Sequence, residues 1–324
     1  MAADPSPTTP ALPDGIALAD VLALAERHAP LVRFHASEKH FPMEPDRYRR
    51  ISRFRESRPF PSPDRGWREP GGFETSDRWG AGYEGLPWDP ILAESRRPYP
   101  AGAFDPPRAR NRRPRDGNNR EGGTRGIFLQ RRAVADGEFA PVARPRRIDA
   151  PAFLDVRLQA GARHRYVMVL YWFWYELNWW HAFYTHQGDW EHVTWIWDLE
   201  TFEQGGAPGW AFFAQHNGGD ARDWEKLHFA DSGHVQPVIF VNPAGHPCQP
   251  EAEGPHPHSW KSGRDLRWLA EQPWRDFAGA WGEVGESVHT TGPLGPAFKR
   301  DGDAVRIRIE AGRRYAAVPK WWQR

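Results

Sequence analysis

The sequence predicts a mainly β protein: an antiparallel β-sandwich with short flanking helices and one long, irregular Pro/Gly/Arg-rich insertion. Three observations lead there. Phe153–Leu158, Tyr166–Tyr175, His192–Asp198, Trp210–Gln215, Val235–Asn242 and Ala304–Glu310 are β-branched or aromatic-rich and bounded by Gly, Pro, Asp or Asn. Between and after them only Leu266–Ala280 reads as a fair helix, so the regular strand–helix alternation of a parallel α/β sheet is missing. Finally, Trp172 and Trp174 share one strand face, as do Trp195 and Trp197, which is the pattern two packed sheets need. This tryptophan stripe reads as core, with carbohydrate stacking or a membrane interface as the alternative.

In chain order, Met1–Asp14 is Pro/Ser/Thr-rich and is expected to be a disordered leader. Residues 15–324 then form a single domain. Ile16, Leu18, Val21, Leu22, Leu24 and Ala25 recur near helical spacing, predicting an amphipathic helix over Ile16–His28 that Pro30 ends. Leu31–His35 follows as a strand, and Asp46 caps a short helix from Arg47 onward. From about 55 to 147 Pro, Gly and Arg dominate and apolar periodicity is scarce, so this segment reads as a solvated insertion. Within it, Gly126–Gln130 and Val134–Phe139 are candidate strands. The basic run Arg108–Arg125 is a loop or, alternatively, an arm facing phosphate or membrane.

Composition narrows the partners. With 324 residues, 39% of them apolar, the chain buries a sizeable core. Its 43 basic and 42 acidic side chains leave a charge of +1, which gives no reason to expect nucleic acid. The single cysteine, Cys248, excludes an internal disulfide, and no signal-like leader is read at the start, so a cytoplasmic location is expected. The longest apolar run, Tyr166–Trp180, carries Glu176 and Asn178 and falls short of the roughly 20 residues that span a bilayer.

The chemistry concentrates in His186-Gln187-Gly188-Asp189-Trp190-Glu191. On an extended chain Asp189 and Glu191 point to one face, and a bend at Gly188 brings His186 round to join them. Carboxylates with one imidazole suit a divalent cation, Mg²⁺, Ca²⁺ or Mn²⁺, and Zn²⁺ if a second histidine joins. Hydrogen-bonded surface groups are the plainer reading of the same spacing. His216 and His246, each beside Gly or Asn at the end of a strand-like segment, are the candidate catalytic bases, and Glu38 is a third; a salt bridge to arginine is the alternative for Glu38. His192 alternates to the other face and reads as structural or solvent-facing. Cys248 reads as an inert thiol rather than half of a Cys/His pair. No P-loop, dinucleotide fingerprint, Gly-x-Ser-x-Gly elbow or His-Glu-x-x-His is present.

The motif resembles the Gly-His-Arg-His-Asp-Trp-Glu heptapeptide of the necrosis- and ethylene-inducing-like proteins. It is closer still to the His-x-Gly-Asp-Trp-Glu of the vacuolar protein sorting-associated protein 62 family. Phe34–Pro42, Gln215–Gly219, Pro237–His246, Trp281-Gly282 and Gly292–Pro296 also look like the latter, so the resemblance spans most of residues 30 to 300. It implies a β-sandwich with the heptapeptide lining a pocket and a divalent cation held by His186, Asp189 and Glu191. The position of the family's upstream acid falls near Asn178, whose amide oxygen can still ligate but carries no charge. The necrosis-inducing relatives are secreted, disulfide-bearing and membrane-damaging, and recognise sphingolipid head groups; this chain departs from them in having one cysteine.

Three functions follow as expectations. The first is a binding protein in which cation and indole walls hold a polar, sugar- or phosphate-bearing ligand, including a glycolipid head group at a membrane surface. The second is a metal-dependent hydrolase or lyase using the same site. The third is a non-catalytic structural or interaction protein.

Overall fold

The computed structural model describes residues 16–59, 73–76, 88–95, 126–131, 148–160, 165–179, 185–215, 218–242, 245–277, 279–282, 292–293 and 295–296. The molecule is built around a six-stranded sheet ordered β14–β5–β6–β7–β8–β9. Its strands are β5 (Ala152–Ala160), β6 (Arg165–Asn178), β7 (His186–Asp198), β8 (Trp210–Gln215), β9 (Gly218–Asp223) and β14 (Leu266–Trp268). All neighbours are antiparallel except β14 and β5, which run parallel.

A smaller sheet covers one face. It is ordered β10–β11–β1–β13, from β10 (His228–Phe229), β11 (Pro237–Val241), β1 (Leu31–Phe34) and β13 (His258–Lys261), with β12 (Cys248–Gln249) also on β11. Alternation along β6 and β7 aims Tyr171, Phe173, Val193, Trp195 and Trp197 at Val32, Phe34, Ile239, Val241 and Trp260. Helix α1 (Leu18–Arg27) closes this core with Val21, Leu24 and Ala25. It is pinned by Tyr171 Oη donating to the Ala25 carbonyl at 2.8 Å and Trp195 Nε1 to the His28 carbonyl at 2.9 Å.

On the opposite face Trp172, Trp174 and Trp190 pack with Tyr48, Leu129, Trp274, Phe277 and Trp281. The indoles of Trp174, Trp190, Trp274 and Trp281 lie 4.9 to 5.5 Å apart by ring centroid. Because both faces are covered, β6 is buried almost from end to end, which is why its sequence is a continuous apolar run. The tryptophan stripe is core.

The insertion expected to be irregular contains order. β2 (Ser52–Pro59) pairs with β3 (Phe73–Ser76) and β4 (Gly126–Arg131) in a three-stranded antiparallel sheet, and α3 (Trp88–Ser95) lies within the same segment. The strand expected over Gly126–Gln130 is β4, in which Phe128, Leu129 and Gln130 are buried; β2 and β3 were hidden by the arginines and prolines in and around them. The helix expected over Leu266–Ala280 is replaced by β14, a 3-10 turn over Leu269–Glu271 and irregular chain. Pro273 lacks an N–H and disfavours helix at Gln272, while Leu266 and Trp268 gain a parallel ladder on Ala152 and Leu154. Helix α2 runs Pro45–Arg50, with Glu44 rather than Asp46 at its N-cap position. The strand expected from His192 begins at His186 and so includes the whole motif. The leader, Val134–Phe139 and Ala304–Glu310 lie outside the described residues. No helix among the described residues is long and apolar enough to cross a membrane.

Candidate functional site

The ladder between β6 and β7 sets the site. It pairs Tyr175 with Asp189 and Phe173 with Glu191, so both carboxylates share the face that looks at the small sheet. At Gly188 the regular alternation breaks. Its φ is +71°, and a Cβ there would stand 1.6 Å from the Trp281 carbonyl oxygen and 2.5 Å from Trp174 Cη2. Only glycine accepts both the left-handed backbone and that approach. Beyond the break Gln187 turns to the far side, where its Oε1 accepts from the Arg131 N–H at 2.8 Å and from Tyr48 Oη at 3.4 Å. Asn178 turns the other way and donates from Nδ2 to Asp189 Oδ2 at 3.3 Å. His186, its ladder partner, donates from Nδ1 to the Gly188 carbonyl at 2.8 Å, which leaves Nε2 as the nitrogen with the lone pair.

Two further side chains enter from the small-sheet side. His246 follows β11 in a loop with φ of +56°, a left-handed conformation that costs a non-glycine residue about 1 kcal/mol or more. Glu38 lies just beyond β1, its Oε1 accepting from the backbone N–H of Lys39 at 2.8 Å and of His40 at 2.9 Å. His246 sits between two acids, Nε2 lying 3.4 Å from Glu38 Oε1 and Nδ1 3.3 Å from Asp189 Oδ2. Its ring stacks on that of Tyr175 at 4.1 Å and 8°.

Burial would strip His246 of its proton, but Glu38 and Asp189 overcome that and hold its pKa up at about 10. Burial likewise would raise the Glu38 carboxyl, and the imidazolium outweighs it, bringing the pKa down to about 2. Neighbouring His40 is depressed to about 4, first by burial and then by the charge on His246, and is neutral at pH 7. The Tyr175 phenol is pushed far up by burial and by Cys248, Glu38, Glu191 and Asp189 around it. Cys248 is pushed up by burial and by the charges of Glu191 and Asp189, the condition of an inert thiol.

The structure therefore gathers Asp189, Glu191, Asn178, Glu38 and His246 around Tyr175, with His186 at the adjoining ladder position. His216 lies outside the described residues. His192 is buried on the tryptophan face, its ring 4.2 Å from that of Trp172. Among the described residues no three His, Cys, Asp or Glu side chains stand in an arrangement that by itself closes around a metal ion. Three polar atoms of the cluster, Asn178 Oδ1, Tyr175 Oη and His40 Nδ1, are buried with no hydrogen-bond partner among the described residues. Tyr175 is hidden in the apolar run of β6, and only its two-residue offset from Phe173 marks its face.

Comparison of the sequence with family models, with characterised proteins and with solved structures gives no match.

Proposed function

We propose that this chain binds a divalent cation in the buried cluster and, through it, a polar sugar- or phosphate-bearing ligand. The observation that carries this reading is the convergence of buried oxygen donors: Glu38 and Asp189 flank His246, and Asp189 and Glu191 both act on the Tyr175 phenol between them. A divalent cation is the partner that several carboxylates held close together out of water accommodate best. Asn178 adds a buried amide oxygen with no partner among the described residues, a donor type that hard cations take readily. Asp189, Glu191, Asn178 and Glu38 are thus the oxygen donors, and His186 Nε2 the nitrogen donor. In the metal-free arrangement the imidazolium of His246 plays the cation's part between Glu38 and Asp189. Mg²⁺, Ca²⁺ and Mn²⁺ fit this oxygen-rich set; Zn²⁺ requires a second imidazole, which His246 supplies once it gives up its proton. When bound, the ion supplies positive charge that orients a ligand's oxygens.

The same residues support placing the chain with the vacuolar protein sorting-associated protein 62 family and its necrosis-inducing-like relatives. Burial and mutual pairing of His246 and Glu38 favour a binding role over proton transfer, and so favour a binding protein over a hydrolase or lyase. Equilibrium dialysis against Mn²⁺ and Ca²⁺, with elemental analysis of the purified protein, tests the reading. The wild type is expected to retain about one ion per chain, and Asp189→Ala and Glu191→Ala to lose it. Equal metal content in all three proteins refutes it.

A further inference from the structure

His28 is a buried imidazole away from the carboxylate cluster. It stands at the C-cap of α1, 1% exposed, where that helix meets the loop between β10 and β11. Its Nδ1 donates to the Val235 carbonyl at 2.9 Å, which puts the lone pair on Nε2. That nitrogen is sealed from solvent and has no hydrogen-bond partner among the described residues. Indoles enclose the ring: Trp224 meets it in a T-shaped contact at 5.4 Å, and Trp197 lies at 6.0 Å by centroid. The loop it grips is folded on itself. Asp231 accepts from the N–H groups of Gly233 at 2.9 Å, Val235 at 3.1 Å and Gln236 at 2.6 Å, and the His234 ring stacks on Phe229 at 4.7 Å. A neutral imidazole thus fastens the end of α1 to a preformed loop.

We infer that His28 is an acid-sensitive latch, whose protonation frees the C-terminal turn of α1 from the β10–β11 loop and uncovers the apolar surface beneath the helix. An imidazolium carries two N–H donors, and the Val235 carbonyl serves only one of them. The other is left buried and unpaired, the costly state for a charged donor. Arg27 on α1 opposes the proton, and Asp231 in the loop favours it but already holds three backbone N–H groups. From β7 and from the 3-10 turn Trp224–Lys226 the ring is met by the uncharged indoles of Trp197 and Trp224. Burial outweighs the Val235 bond and Asp231 and holds the imidazole below its ordinary pKa of 6.5. With the folded value depressed, the latch contributes in full above pH 6.5 and is lost as pH falls below it. The pairing of Glu38 with His246 persists at pH 5, where the acid is ionised and the imidazole protonated, so the cluster between the sheets holds while α1 loosens. Release uncovers Val21, Leu24 and Ala25 together with the core residues they cover, and it breaks the bonds from Tyr171 Oη to Ala25 and from Trp195 Nε1 to His28.

The test is hydrogen–deuterium exchange of the full-length, metal-free protein at about pH 7.5 and about pH 5, read by mass spectrometry and corrected for the pH dependence of the chemical exchange rate. The opening constant of the segment Val21–His28 is expected to rise about fivefold or more at the lower pH, while peptides from β6 keep their protection. His28→Asn puts an amide N–H in place of the Nδ1 donor without titrating, and is expected to give equal α1 protection at both pH values; His28→Gln is the second such variant. His40→Gln removes another buried imidazole of depressed pKa and is expected to leave the α1 response as in the wild type. Wild-type α1 protection that is the same at both pH values overturns the latch, as does a loss that spreads equally into β6. A loss that persists in either His28 variant, or that His40→Gln abolishes, overturns it as well. The first two outcomes are read on the wild type alone, so a variant that fails to fold does not shield the inference.

Discussion

Replacing Gly188 by alanine separates two costs that the structure keeps apart. Gly188 at φ +71° and Gly205 at φ +68° have nearly the same backbone, yet a Cβ at Gly205 meets nothing within 4 Å. Gly205→Ala therefore reports the left-handed backbone alone, about 1–2 kcal/mol. At Gly188 the new carbon stands 1.6 Å from the Trp281 carbonyl oxygen, and reaching even 3.0 Å demands a shift of 3.0 − 1.6 = 1.4 Å. That oxygen is backbone, and the same residue is tied by its N–H to the Pro293 carbonyl at 2.8 Å and by its ring to the indole cluster. Overpacking of this kind adds about 1–3 kcal/mol, so Gly188→Ala is expected to lose about 2–5 kcal/mol in all. Domains of ordinary stability hold about 5–15 kcal/mol, so the variant still folds or sits near its midpoint. Urea titration followed by tryptophan fluorescence measures both variants. Loss at Gly188 within about 0.5 kcal/mol of that at Gly205 refutes the claim that the Trp281 loop braces the motif from behind.

Further outcomes follow from the cluster and its surroundings. In metal-free protein His246 contributes stability below its ordinary pKa of 6.5, and loses it as pH rises toward about 10; Glu38 contributes above 4.5 and loses it as pH falls toward about 2. Stability should thus peak between roughly pH 4.5 and 6.5, and Glu38→Gln should flatten the alkaline limb; a wild-type curve level from pH 6.5 to 10 contradicts the pairing. Tyr175→Phe removes a buried hydroxyl that has no hydrogen-bond partner among the described residues, so metal-free stability should be unchanged or rise by up to about 1 kcal/mol, and a loss above that amount shows that the hydroxyl has a partner. Asp198 accepts from the Glu200 N–H at 3.2 Å as the N-cap of α4 (Leu199–Glu203), and Asp198→Ala should cost about 0.5–2 kcal/mol in thermal or urea unfolding.

The fold was legible where burial is one- or two-sided and regular. The apolar run of β6 and the alternation in β7 announced strands because side chains there answer only to the sheet. Asp189 and Glu191 were legible as neighbours for the same reason, and Gly188 as a bend because glycine supplies φ above zero. What local pattern could not disclose is who faces them. His246 meets Asp189 from 57 residues away, across a gap between sheets whose register the sequence leaves unspecified. Leu266–Ala280 misled because its apolar residues, Leu266, Trp268, Leu269, Trp274 and Phe277, serve two cores instead of one helix face. In the insertion Gly126–Gln130 was legible as a strand and is β4, whereas β2 and β3 went unread because arginines and prolines in and around them disguise their alternation.

β1 lies between β11 and β13, joined parallel to the first and antiparallel to the second. A strand from the early part of the chain thus waits for partners made some two hundred residues later, one edge staying open until β11 emerges and the other until β13 ends at Lys261. Glu38 lies just beyond that strand, so the acidic cluster cannot be complete before His246, which follows β11, has been made. Nascent protein should depend on chaperone cover for its β1 segment, and a truncation short of β13 should aggregate rather than persist as a partly working molecule.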